Sequence, residues 1–395
     1  MKRKSLQYQP NPIIYAALNV SLILTVLVLS GCSEKHSTMS LEQARVFQTN
    51  PMLGAKTAHT ANYLKETALG EGILVLGGAG SPCIAEFYRL DKKSHMLKTP
   101  SFCRFGHTAT TLANDEILVV GGLASLKPNI SPHSVSEIYS SQTMDFSETG
   151  SLQTGRYGHT ATLMNDGNIL ITGGFTHDEY GKKQMLESAE LYYTADREFG
   201  NVGKMAYLRA GHTATLLDDG SVIVIGGTDG KAEFEKYDPV NQEFETIGGT
   251  GFIGSNHTAT KMGEHILIAG GLVGSLASER QALLLDLISY SLINVEPLKI
   301  GRSGHTANLL PNGDVILVGG NGSNHWGLSS IEHYHSEDRT FSILAFLKSP
   351  RVSHRSNFIE SENSILVSGG WGNLTLQGPK ILREVDLIQL TEASK

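Results

Sequence analysis

A chain of 395 residues with 39 Asp+Glu against 32 Lys+Arg carries a formal net charge of −7, the wrong sign for a protein that grips a phosphate backbone. Nucleic acid is therefore excluded as an expected partner. Forty-three glycines and few helix-like patterns point to an all-β protein with many turns.

In chain order, Lys2, Arg3 and Lys4 precede an apolar stretch from Ile13 to Leu29, which ends in Leu29-Ser30-Gly31-Cys32. A basic start, an apolar centre and a small-residue end read as an export signal. The ending resembles the bacterial lipobox, in which the cysteine is lipidated and becomes the new N-terminus. That resemblance implies loss of residues 1–31, lipidation of Cys32 and, with Ser33 rather than Asp after it, an outer-membrane address. The domain would then stand in the periplasm or at the cell surface. An uncleaved anchor is the alternative, since the stretch is long enough to span a bilayer. Without Lys2, Arg3 and Lys4 the mature chain has 29 basic against 39 acidic residues, a formal charge of −10. Residues 32–43 read as a polar, lipidated tether and 44–395 as the folded domain.

From there one pattern recurs seven times. His59, His107, His159, His212, His257, His305 and His354 each open a strand-like run that ends in a glycine pair. The pairs are Gly77-Gly78, Gly121-Gly122, Gly173-Gly174, Gly226-Gly227, Gly270-Gly271, Gly319-Gly320 and Gly369-Gly370. The histidines are 48, 52, 53, 45, 48 and 49 residues apart, the period of a supersecondary unit copied in tandem. The third copy is the clearest. "HTATL" reads as a strand, Asp166-Gly167 as a hairpin turn, "NILIT" as a strand buried on both faces, "AELYY" as a third strand and "REFGNV" as a fourth. Four antiparallel strands per unit give a blade of a β-propeller.

The glycine doublet, the Glu-x-Tyr strand and the preceding Arg-x-x-His resemble the kelch family, especially bacterial members with "HTAT", over roughly residues 44–390. The expected fold is an all-β, seven-bladed kelch-like propeller. The fifth copy departs from the pattern, with Gly254 in place of the basic residue and "LLLDL" in place of Glu-x-Tyr. The seventh has "SHRSN" for "GHTAT" and ends without a fourth strand. Phe146, Phe199, Phe244 and Phe341 mark fourth strands 13 residues before a histidine, and Phe47 sits 12 before His59. Ala44–Thr49 is therefore expected to complete the last blade and remove its exposed edge.

The repeated histidines are spread around a ring and are not expected to converge on a metal; each is expected to bond a backbone group across a blade seam. No His/carboxylate cluster at ligand spacing is evident, and neither a metal nor a cofactor is expected. Asp166, Asp219 and Asp314 read as turn residues, and Glu137, Glu190, Glu332 and Glu384 as partners inside the blades. Three residues before the histidines stand Lys56, Arg104, Arg156, Arg209, Arg302 and Arg351. The resemblance puts them near the channel mouth, where guanidinium groups hold carboxylates bidentately; pairing with the blades' own glutamates is the alternative. Both tryptophans, Trp326 and Trp371, follow glycine pairs in second-to-third loops, where an aromatic ring stacks a sugar, holds a peptide, or packs on the next blade. Phe105, Tyr157 and Phe252 are expected at the same mouth. Cys83 and Cys103 fall on the same face by strand counting, and export favours their pairing. The function expected is a lipid-anchored binding or scaffold propeller that recognises a protein or glycan through its loop face. The alternative is a carbohydrate-active enzyme of the sugar isomerase or oxidase type, with its site at the channel mouth.

Overall fold

The computed structural model describes residues 41–80, 83–125, 127, 130–227, 233–249, 254–273, 277–324, 326–375 and 378–392. Cys32, the expected export signal and most of the expected tether lie outside them. Seven four-stranded antiparallel sheets form the blades. In blade three Thr160–Leu163 is innermost, followed outwards by Ile169–Thr172, Ala189–Tyr193 and Glu198–Asn201. Each innermost strand neighbours the next around the circle, and Arg355–Ile359 of blade seven lies between Thr306–Leu309 and Thr60–Leu64. The ring is closed.

The closure uses the N-terminal strand. Leu41–Gln48 pairs antiparallel with Val385–Glu392, Val46 opposite Ile388. The strand begins at Leu41, so the folded domain starts three residues before the expected boundary at residue 44. The reason is the length of its partner, which runs on to Glu392.

Each second strand is sealed on both faces. Ile73, Leu74, Val75, Val222, Ile223, Val224, Val315, Ile316 and Leu317 have no accessible surface, as their uninterrupted apolar runs require. One apolar cluster fills each seam. Between blades six and seven, Leu310, Ile316, Val318 and Ile331 meet Ile365, Val367, Ile388 and Leu390, with Ala44 and Val46 packed alongside. Burying each such aliphatic side chain stabilises by about 1.5–3 kcal/mol. The phenylalanines of the fourth strands stack on the tyrosines of the third: Tyr139–Phe146, Tyr192–Phe199, Tyr237–Phe244 and Tyr334–Phe341 have centroids 4.8–5.0 Å apart. The glycine pair is a close-approach device. A Cβ on Gly121 would stand 2.4 Å from the Arg156 carbonyl oxygen, and the residue has φ +64°, so a side chain is blocked by contact and by conformation.

Candidate functional site

The repeated basic residues do not line the mouth. Arg104, Arg156, Arg209, Arg302 and Arg351 are 0–3 % exposed, and each meets a buried carboxylate of its own blade. The pairs are Arg104–Glu137 at 2.7 Å, Arg156–Glu190 at 2.7 Å, Arg209–Glu235 at 2.7 Å, Arg302–Glu332 at 2.6 Å and Arg351–Asp386 at 2.8 Å. Their expected ligand role is corrected accordingly: the guanidinium fork is consumed inside the blade. Its NH1 donates to the carbonyl of the first glycine of the pair, as Arg104 to Gly121 at 2.9 Å and Arg302 to Gly319 at 2.8 Å. The carboxylate also accepts backbone N–H groups from the incoming connection, Ser101 N to Glu137 at 2.8 Å and Lys299 N to Glu332 at 2.8 Å. One unit therefore fastens the second strand, the third strand and the blade-to-blade connection. In blade seven the partner is Asp386, not Glu384, which bonds Lys380 instead. Lys56 reaches the Gly77 and Ile84 carbonyls. Blade five lacks both halves. Gly254 replaces the cation, and Leu283 occupies the carboxylate's register position opposite Ile268, so no charge is left buried alone.

The histidines form a second ring, made through side chains where backbone groups were expected, though His354 also bonds the Val318 backbone across its seam. Each Nε2 lies beside the hydroxyl that follows the histidine of the preceding blade: His107 at Thr60 (3.1 Å), His159 at Thr108 (3.0 Å), His212 at Thr160 (3.1 Å), His257 at Thr213 (3.0 Å), His305 at Thr258 (3.0 Å) and His354 at Thr306 (3.1 Å). At the closing seam His59 lies 3.0 Å from Ser368. Burial holds six of these imidazoles well below pH 6.5 and His257 at about 4. They are neutral structural groups.

Among the described residues, topology does assemble one His/carboxylate cluster that the linear spacing hid. Asp314, His333 and His335 bring ligand atoms within 4.8 Å of one another. The carboxylate is already saturated. It accepts from Asn312 Nδ2 at 2.9 Å, His333 Nε2 at 2.8 Å, and Ser336 N and Oγ at 2.8 Å each. Desolvation opposes its ionisation, but the His333 and Ser336 bonds prevail and bring it to about 2. Asp166 and Asp219 are turn residues, accepting from Asn168 N and Ser221 N two positions on.

The unrepeated side chains gather on the opposite face, around the mouth. There, in six blades, the residue two before the histidine bridges the residue after the glycine pair, as Phe105 to Leu123, Tyr157 to Phe175, Ser303 to Asn321, and Val352 to Trp371. Blades two and three make this rim apolar, with Phe105, Leu123, Tyr157 and Phe175 in one cluster. Phe252 lies outside the described residues. Blades six and seven make it polar. Asn321 is 1 % exposed and, among the described residues, neither its amide nitrogen nor its oxygen has a partner; nor has the indole Nε1 of Trp371, 4 % exposed. Trp371 is thus no open stacking platform, because its backbone pairing with Val352 draws the ring into the rim. Trp326 is the open one, 45 % exposed, on a loop tied back by Gly322 N donating to its carbonyl at 2.9 Å. Asn321 escaped sequence reasoning; its signal was a polar residue where blades two, three and seven carry Leu, Phe and Trp. Cys83 and Cys103 are joined as a disulfide on this face, with Cα atoms 5.1 Å apart.

The blade count, the strand order and the ring closure define a seven-bladed kelch-like β-propeller. The solved structure of YjhT superposes with a TM-score of 0.57 at 16 % identity, covering 75 % of this chain and 99 % of that one. At that identity the likeness shows the fold. In sequence, an F-box/kelch-repeat protein of Arabidopsis thaliana is 28 % identical over 140 residues, 32 % of this chain. The match spans 28 % of that relative's length. No family model matches the chain.

Proposed function

We propose that this propeller is a binding protein that takes a glycan, or a peptide segment of like polarity, at the loop-face mouth between blades six and seven. The observation that carries the reading is the set of unpaired polar groups there. Among the described residues the Asn321 amide and the Trp371 N–H have no partner and no exposed atom, a cost of about 1–3 kcal/mol each that a small opening of this rim onto ligand hydroxyls removes. Trp326 supplies the exposed ring on which a sugar face stacks. The repeated arginines are internally neutralised, so discrimination falls to these unrepeated residues. In this reading the lipidated Cys32 holds the domain at a bacterial outer membrane.

Glycan and peptide arrays probed with the purified protein test the proposal. Retained hits that weaken on Trp326→Ala or Asn321→Ala support it, and a blank array counts against it. Hits should then be incubated with the protein and analysed by mass spectrometry and NMR. Conversion of a bound sugar would favour the carbohydrate-active enzyme over the binder.

A further inference from the structure

The ring of innermost strands is broken chemically at one place. After six of the seven histidines comes a threonine: Thr60, Thr108, Thr160, Thr213, Thr258 and Thr306. After His354 comes Arg355. Its side chain is 9 % exposed and, among the described residues, bonds only the His354 carbonyl, NH1 to O at 3.2 Å. No described carboxylate lies within ion-pair distance. The repeated arginines, Arg104, Arg156, Arg209, Arg302 and Arg351, each have one at 2.6–2.8 Å. The hydroxyl that a threonine would offer His59 comes instead from Ser368, directly opposite Arg355 in the sheet. Thr172 plays the same part for His212 at 2.8 Å, while Thr160 also bonds that ring. Arg355 is therefore not needed for the histidine ring. Its charge acts on His354, His59 and His107, which belong to blades seven, one and two. Arg355 holds the register position that Thr160 holds in blade three, where the hydroxyl faces the histidine of the next blade, so its longer side chain leaves from the ring of innermost strands.

We propose that the centre of the propeller is an anion site in which Arg355 binds a small carboxylate or inorganic anion. An unpaired buried charge costs several kcal/mol, and an anion on the fork removes that cost with charge-assisted bonds. The surrounding histidines are neutral, so Arg355 is the one formal charge of the histidine–threonine ring among the described residues. Desolvation alone pulls its pKa down to about 10, and it stays cationic at neutral pH. This inference stands apart from the glycan reading: either survives the loss of the other.

The test is the thermal unfolding midpoint of the whole protein and of Arg355→Thr, titrated separately with sodium chloride, acetate and phosphate in a bulky zwitterionic buffer. The parent should show a saturable rise of a few degrees with at least one anion, as ligand linkage requires. Arg355→Thr, which restores the repeat, should lose that rise and match or exceed the parent when the anion is withdrawn. Identical responses of the two proteins overturn the proposal, as does a threonine variant less stable than the parent without anion. If that variant fails to fold, Arg355→Gln replaces it in the same titrations with the same criteria. Bromide-soaked crystals give an independent readout, an anomalous peak beside Arg355 supporting the site and its absence at saturating bromide refuting it.

Discussion

The arginine–carboxylate units can be dissected in blade six, where Arg302 and Glu332 are both wholly buried and 2.6 Å apart. Replacing Glu332 by Leu strands the guanidinium, which keeps bonds to the Gly319 carbonyl at 2.8 Å, the Ser330 carbonyl at 3.2 Å and the Ser330 hydroxyl at 2.9 Å. It also orphans the Lys299 and Ile300 amides, held at 2.8 and 3.0 Å. Breaking one side of a buried pair costs about 3–5 kcal/mol, and two amides losing their acceptor place this change at the upper end. Arg302→Met alone should cost about 3 kcal/mol, because the abandoned carboxylate keeps its two backbone donors, Lys299 N and Ile300 N. The double variant removes both charges, as blade five already does with Gly254 and Leu283. It should therefore be less destabilised than the sum of the single changes by at least about 2 kcal/mol, within the range of coupled neighbours. Urea unfolding followed by tryptophan fluorescence measures all four corners of the cycle. Additive single changes, or a Glu332→Leu protein unfolding with the parent, would refute the reasoning.

Acid should unfold the ring through its histidines. Each is held neutral in the fold well below its unfolded value of about 6.5, so the unfolded chain binds more protons below that pH. Stability is then full above about pH 6.5 and is lost as pH falls towards the folded values, at up to about 1.4 kcal/mol per unit for each histidine. For His257 the loss is complete near pH 4. A midpoint that stays flat between pH 7 and 5 would contradict this. Reducing Cys83–Cys103 opens a loop with a sequence separation of 20 and should cost about 3 kcal/mol in the chain-entropy model; two alkylatable thiols in the unreduced protein would exclude the bond. Deleting residues 33–50 removes the outer strand of blade seven with Ala44 and Val46. It should lower stability by several kcal/mol, about the burial of those side chains plus the lost strand pairing; a deletion that melts with the parent would deny the closure.

The architecture was legible because it is repeated: seven histidines, seven glycine pairs and the Phe47 spacing each report the same unit. The same redundancy misled the reading of the arginines. A basic residue three before a histidine looks like a channel-mouth cation until the third strand is placed. Only then does Glu137 or Glu332 face the fork across the second strand. The carboxylate of blade seven was misplaced by two residues, at Glu384 instead of Asp386, since no tyrosine follows it to fix the register. Trp371 and Asn321 show the complementary limit. Their exposure depends on rim bridges between segments far apart in sequence, and a loop composition cannot tell a sealed indole from an open one. The departures from the repeat, "SHRSN" in blade seven and the missing pair in blade five, were visible throughout. Their meaning came only with the neighbours.

The central claim is that repeated residues build the ring while unrepeated residues at the mouth of blades six and seven bind. The most direct measurement compares array binding by the parent, Trp326→Ala and the turn-face double variant Asp166→Asn/Asp219→Asn. The account predicts that ligands found with the parent bind Trp326→Ala more weakly by roughly 1–3 kcal/mol, the range of interface aromatics, and bind the turn-face variant unchanged. Ligands that ignore the Trp326 change but are lost with the Asp166 and Asp219 turns would put the site on the other side of the propeller.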